Sequence, residues 1–168
     1  MVIRPMIAAD IDAVYALAQK TPEAPHWNRS AYEPCINGNQ ADSMRYVGWV
    51  ADEAKQVAGF LVAKLVAGIC EIESIAVAED VRGRGIGAAL MTAATSWAKS
   101  QGATRLELEV RASNATAIRL YERFGLRLEG LRARYYIDPE EDAVLMGKAL
   151  DAVENFEEKR VASRPPEC

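Results

Sequence analysis

The sequence predicts a single α+β domain: a mixed, mostly antiparallel sheet with helices on both faces. Three observations predict it. Its 168 residues suffice for one hydrophobic core and fall short of two ordinary domains. Residues 45–77 are apolar or alternating with short polar breaks, leaving no space for a helix between strands, which is the mark of antiparallel neighbours. Helical spacing flanked by strands appears only from Ile86 onward, so βαβ crossovers are confined to the second half. A doubly wound parallel sheet needs them from the start.

In order, residues 2–4 read as a short strand closed by Pro5. Ile11, Val14, Tyr15 and Ala18 share one helical face, with Asp10 and Asp12 at the end where the helix dipole favours acids. Ile7 stands where a hydroxyl cap belongs, which predicts a poorly capped start. A second helical segment is interrupted by Pro34, and residues 36–40 lengthen the loop after it. Strands at 45–51 and 57–67 straddle a turn at 52–56. Alternation through residues 69–77 places Glu71, Glu73, Ile75 and Val77 on one face, Ile72 and Ser74 on the other. Ile86, Leu90, Ala94 and Trp97 form the stripe of the next helix, which Gly102 stops. Leu106, Leu108 and Val110 alternate with Glu107, Glu109 and Arg111, a strand with one polar face. Ser113-Asn114 caps a helix whose stripe is Ala117, Leu120, Tyr121 and Phe124, ended by Gly125. Strands at 126–131, 134–137 and 143–148 follow, the last two joined by a turn at 138–141. The domain therefore covers residues 1–150, and 151–168, with Arg164-Pro165-Pro166, has the composition of a flexible C-terminal tail.

Composition excludes several classes. Lys+Arg 20 against Asp+Glu 24 gives a net charge of −4, which argues against a general nucleic-acid coat. No apolar run nears the ~20 residues of a membrane span, and the first residues lack the layout of a secretion signal. The expectation is a cytoplasmic protein with no nucleic-acid or membrane partner. Cys35, Cys70 and Cys168 are odd in number and widely spaced, and His26 is the single histidine. Neither a disulfide framework nor a metal site is expected, and Cys35 has no base beside it in sequence. The charge is uneven: residues 82–134 carry a local +6, so the remainder carries −10. One half suits an anion and the other a cation.

The loop Arg82-Gly83-Arg84-Gly85-Ile86-Gly87 opens a helix. Orphan backbone N–H groups at a helix start bind phosphate, and glycines leave them accessible. A P-loop needs Lys and Ser/Thr after its glycines, whereas Ala88-Ala89 follow here. Gly83-x-Gly85-x-x-Ala88 meets the dinucleotide spacing, with Glu107 about twenty residues on. In that fold, however, the glycines leave the first strand of a parallel sheet directly. Here residues 78–82 intervene and an antiparallel block comes first.

Arg82-x-x-Gly85-x-Gly87 after Ile75-Ala76-Val77 resembles the acyl-CoA signature of the GNAT superfamily of N-acetyltransferases, and the element order is similar to that superfamily's from residue 1 to about 148. Residues 108–114 followed by Ala117-Ile118-x-Leu120-Tyr121-x-x-Phe124-Gly125 resemble the bacterial ribosomal-protein-alanine N-acetyltransferase family. Trp27 in Pro25-His26-Trp27-Asn28, and Arg134-Tyr135-Tyr136 before an acidic turn, agree.

The resemblance implies a βαβ acyl-CoA-binding core, acetyl-CoA as acetyl donor and no metal. Arg82, Gly83, Arg84, Gly85, Ile86 and Gly87 then hold the diphosphate. The backbone of Ile75, Ala76 and Val77 pairs with the pantetheine arm as an added strand, and an N–H near Val77 polarises the thioester carbonyl. Asn114 and Tyr121 meet the same arm. Trp27, Glu73, Tyr135 and Tyr136 line the acceptor slot, with His26 at its entry. The acceptor is a peptide α-amine, alanine of a ribosomal small-subunit protein foremost, and the enzyme is a monomer or weak dimer.

Glu109 is the expected general base, lying opposite the Leu108 face; an α-ammonium of pKa ~7.7–8.0 needs no strong base. Tyr121 is the expected general acid, since a phenol of pKa ~10 keeps a proton to give to a thiolate. The residues leave alternatives open. Glu71 and Glu73 rival Glu109 as base, Tyr121 fits an apolar core equally, and Tyr135 and Tyr136 fit opposite faces of an edge strand. A small-amine acetyltransferase and a non-catalytic acyl-CoA sensor share the same loop.

Overall fold

The computed structural model describes residues 1–36, 40–41 and 43–151; the remaining part of the expected tail, and residues 37–39 of the expected loop, lie outside the described residues. The elements are β1 (Val2–Pro5), α1 (Ile11–Lys20), β2 (Gln40–Ala41), β3 (Met44–Glu53), β4 (Gln56–Val66), β5 (Ile69–Val77), α2 (Ile86–Ser100), β6 (Arg105–Arg111), α3 (Ala115–Arg123), β7 (Arg127–Ile137) and β8 (Glu140–Ala149). The strands form one open sheet in the order β1-β3-β4-β5-β6-β8-β7, with the short β2 beside β3. Among the described residues only β5 and β6 run parallel; every other pair is antiparallel. The α+β expectation therefore holds, including the single crossover class in the second half.

Helices cover both faces. On one face α2 and α3 bury Ile86, Leu90, Met91, Ala94 and Tyr121 against Leu61, Ala63, Leu106 and Met146. On the other, α1 and a 3-10 turn at Arg29–Cys35 bury Ile11, Val14, Tyr32 and Cys35 against Val50, Phe60 and Val62. The alternation of β4 alone feeds both layers, so Leu61 and Val62 are each fully buried on opposite sides. Gly59 lets α2 lie close: a Cβ there would stand 3.0 Å from the Ala76 carbonyl and 3.1 Å from Ile86 Cγ2. Truncating a side chain such as Leu90 to alanine in this layer costs about 2–5 kcal/mol.

Four local expectations change in whole or in part. The second helical segment is a 3-10 turn rather than an α-helix, because Pro34 lies inside it and cannot donate an i→i−4 bond. The start of α1 has no side-chain cap, as expected, but it is not loose: Asp10 Oδ2 accepts the Ile7 N–H at 2.9 Å, and Arg4 holds the same carboxylate at 2.7 and 2.8 Å. The two strands expected at 126–131 and 134–137 are one strand, β7, kinked at Arg134, whose φ is 51°.

The fourth change concerns β5. Its register against β4 jumps between Val62↔Ser74 and Ala63↔Ile72, so Glu73 is the extra residue of a β-bulge. The bulge inverts the alternation. Before it, Cys70 and Ile72 face α2; after it Ala76 faces α1, while Ile75 and Val77 turn toward the α2 side. Glu71 and Glu73 thus share the α1 face with Ala76, not with Ile75 and Val77.

Candidate active site

The parallel β5–β6 ladder runs from Ile69↔Arg105 to Ile72↔Leu108 and stops. Past that point β5 stays paired with β4, and β6 with β8. From Glu73 to Val77, β5 therefore has a strand on one side only. The two strands part into a cleft of about 440 Å³. A larger hollow, about 870 Å³, lies between α1 and the loop after β5, and Arg82 is the one residue of the expected site that lines it. The chemistry is in the smaller space.

Trp27, Glu73, Ile75, Glu109, Asn114, Tyr121, Tyr135 and Tyr136 all line that cleft. They come from four strands or helices and the loop after α1. Glu109 is the first residue of β6 beyond the split. Its Oε1 lies 3.1 Å from Arg132 Nη1 of β7. On the β5 wall, Lys64 Nζ sits 2.8 Å from Glu71 and 2.6 Å from Glu73. Burial works against the Lys64 charge, yet the hydrogen bonds to the two glutamates prevail and raise its pKa. Glu71 and Glu73 are thus backed by a cation from the neighbouring β4, and Glu109 by one from β7, two strands away.

Tyr121 projects from α3 with its ring almost wholly buried, and that burial drives its pKa above the usual phenol value, so it stays protonated. Asn114 caps α3 by accepting the Ala117 N–H at 3.2 Å, leaving its amide nitrogen uncommitted within the cap. Trp27 is steadied by Tyr32, ring centroids 5.5 Å apart. Burial pushes the Cys35 thiol up to about 12, which keeps it inert.

Tyr135 and Tyr136 both face the cleft, although they are adjacent on a strand. The αL residue Arg134 and the register shift between Arg132 and Tyr136 break the pleat. Glu109's negative charge, then burial, raises the Tyr135 pKa; burial, then Glu109, raises that of Tyr136. The tip of the β7–β8 hairpin is tied to the end of β6. Arg111 donates to the carbonyls of Asp138 and Pro139 and to Glu141, each at 3.3 Å, and its guanidinium lies 4.2 Å from the Tyr136 ring centroid. Glu141 also accepts the Ser113 N–H at 2.5 Å.

The glycine loop lies past the end of β5. Gly83 (φ 78°) and Gly85 (φ 81°) adopt left-handed backbone, and a Cβ on either meets nothing within 4 Å. α2 starts at Gly85 without a side-chain cap, leaving its first N–H groups open. Gly87 differs: a Cβ there would be 3.2 Å from Leu120 Cδ2, so its smallness serves the contact with α3. The arginines are partly engaged. Arg82 Nε donates to the Val77 carbonyl at 3.1 Å, and Arg84 pairs with Glu53 at 2.5 Å. Ala76 is buried by its side chain and reaches the split only through its backbone.

Sequence reasoning did not find Arg132, Lys64, Arg111 or Glu141. The local +6 of residues 82–134 was legible, but the acids that neutralise much of it come from β3 and β8 as well as from that stretch. Among the described residues no group of three His, Cys, Asp or Glu side chains is arranged to hold a metal ion, and no helix is long and apolar enough to cross a membrane.

Comparison with known proteins agrees with this geometry. The acetyltransferase (GNAT) family matches residues 11–126. The ribosomal protein bS18-alanine N-acetyltransferase of Escherichia coli K12 is 32% identical over 139 residues, 82% of this chain and 89% of that protein. The streptothricin acetyltransferase of Streptomyces lavendulae is 41% identical over 106 residues, 62% of this chain and 55% of its own length. Among solved structures, the ribosomal-protein-S18-alanine N-acetyltransferase of E. coli superposes with a TM-score of 0.75 at 30% identity, covering 92% of this chain and 97% of its own. The Arabidopsis thaliana NAA60 structure in complex with acetyl-CoA, at 19% identity and a TM-score of 0.78 over 89% of this chain and 98% of that one, shares the fold. With a family model spanning more than half its length and a relative this similar over most of it, the chain belongs to the GNAT acetyltransferase family.

Proposed function

We propose that this acetyltransferase moves the acetyl group of acetyl-CoA to a protein N-terminal α-amine, alanine of a ribosomal small-subunit protein foremost, in the cytoplasm. The observation that carries the reading is the convergence of Glu109 and Tyr121 on the cleft where β5 and β6 part. The residues fit the donor. Gly83 and Gly85 leave their backbone open for a diphosphate at the uncapped start of α2. The unpaired side of β5 from Glu73 to Val77 suits an extended amide-bearing arm, with Asn114 across the cleft.

The donor supplies an acyl group activated as a thioester. Glu109 accepts a proton from the acceptor ammonium, directly or through one water, freeing the nitrogen lone pair. The C–N bond forms as the C–S bond breaks, and the surplus proton of the acylated nitrogen leaves to water, from which Tyr121 is later reprotonated. Tyr121 gives its phenolic proton to the departing sulfur, and burial keeps that proton in place until then. Glu71 and Glu73 give the cleft the negative wall a cationic acceptor needs. Trp27, Tyr135 and Tyr136 shape the slot for the first residue of the peptide.

Incubation of the protein with acetyl-CoA and alanine-first peptides, followed by mass spectrometry, tests the reading; acetylation at the α-amine is the expected result. Likeness to a streptothricin acetyltransferase favours a second reading, a small-molecule amine as acceptor. Acetylation of a small amine with every peptide left untouched selects that reading.

A further inference from the structure

Glu109 is half-buried, with few backbone neighbours to hold it. β5 has left its side at the split, and its antiparallel partner Leu145 offers no polar group. A carboxylate on a strand rotates freely unless something holds it. Two side chains meet that of Glu109. One is Tyr135, whose pKa is raised by Glu109's charge, by burial and by a hydrogen bond to Glu109. The other is Arg132, its one ion-pair partner among the described residues, which reaches across β8 from β7. We propose that Arg132 is the positioning residue of Glu109: it holds Oε1 from outside the cleft and leaves the other oxygen facing the acceptor. The inference rests on Glu109 being the base, as read above.

Three observations support it. Arg132 does not line the cleft, whereas Glu109 does, so the pair spans the cleft wall rather than filling the slot. Arg132's guanidinium also lies 5.4 Å from the centroid of the Tyr135 ring, a second contact that favours the same placement of the cation. The backbone that delivers it is irregular. Arg132 is the last residue of β7 in register before the shift that ends at Tyr136, with Arg134 left-handed between them. The same kink that turns both tyrosines into the cleft thus sets Arg132 behind the base. A base working on an ammonium needs orientation more than strength, since misplacement by about 1 Å costs up to 10²-fold. Orientation dominates.

The test compares Arg132→Gln, Arg132→Lys, Glu109→Gln and the double variant Glu109→Gln/Arg132→Gln, each checked for an unchanged melting temperature and unchanged CoA affinity by calorimetry. Arg132→Gln is expected to lower kcat about tenfold with the KM for acetyl-CoA unaltered, Arg132→Lys to recover part of it, and the double variant to be no slower than Glu109→Gln. Losses that multiply in the double variant, or full activity in Arg132→Gln beside a crippled Glu109→Gln, overturn the assignment of Arg132. Full activity in Glu109→Gln overturns the choice of base itself, a separate result. The acceptor in every assay is whichever amine the wild type acetylates.

Discussion

Tyr135 and Tyr136, consecutive in the chain, meet edge to face with ring centroids 5.2 Å apart. On a regular strand they would point to opposite faces. Arg134, at a φ of 51°, supplies the kink, and its N–H is held by Asp142 Oδ1 at 2.8 Å. Below the pair, Arg111 stacks on Tyr136 and binds the hairpin tip. The acceptor side of the cleft is therefore a hairpin end pinned to the end of β6.

Arg111→Met should release that end. Its loss removes three hydrogen-bonded contacts and the cation under Tyr136. The expected result is an acceptor KM raised about tenfold, with the acetyl-CoA KM less affected because Arg111's contacts are to the hairpin and not to the glycine loop. Steady-state kinetics with each substrate varied in turn distinguishes this from a general loss of fold.

Gly85→Ala separates strain from ligand contact. The left-handed φ of 81° costs a non-glycine residue about 1 kcal/mol, which lowers the melting temperature by a few degrees. A Cβ there meets no protein atom, so any larger loss in CoA affinity comes from the ligand's approach. Calorimetry with CoA is expected to show at least tenfold weaker binding.

Tyr121→Phe keeps the ring and removes the proton. Turnover should fall by about 10²-fold, while CoA binding persists. Because burial raises the Tyr121 pKa above its usual value, the wild-type pH–rate profile should show no falling limb from this residue below pH ~10. A limb near pH 9 that vanishes in Tyr121→Phe would contradict the environment described for it.

Asp10→Asn probes the fold away from the cleft. The hydrogen bond from Arg4 is the main reason the Asp10 pKa is lowered. A depressed carboxylate contributes stability that is present above its unfolded pKa of ~3.9 and fades as pH falls through the folded value. Asp10→Asn should therefore cost about 2 kcal/mol at pH 7, with Arg4 still bound to Asp52. The gap between variant and wild type should shrink below pH 4. Urea unfolding at pH 7, 5 and 3.5 checks both the size and the direction.

Much of the site was legible because it is built from local signals. Asn114 caps its own helix, and Gly83, Gly85 and Gly87 around Ile86 mark a loop whatever surrounds them. Glu109 was placed by simple alternation with Leu108, which β6 obeys. Alternation failed for Glu73 and for Tyr135. One extra residue enters β5 there and two enter β7 between Arg132 and Tyr136, and nothing in the residues beside Glu73 or Arg134 announces them. Arg132 and Lys64 stayed hidden because their partners are on other strands.

Since periodicity, caps and turn residues act over a few positions, the sequence by itself determined the α+β class, the glycine loop and most of the element order, though not the 3-10 turn at Arg29–Cys35 or the continuity of β7. Only the tertiary structure decided which side chains share the cleft. That outcome depends on where the β5–β6 ladder ends and on two bulges, and each is a compromise among strands far apart in the chain, settled by packing against α1, α2 and α3 rather than by any residue's own preference.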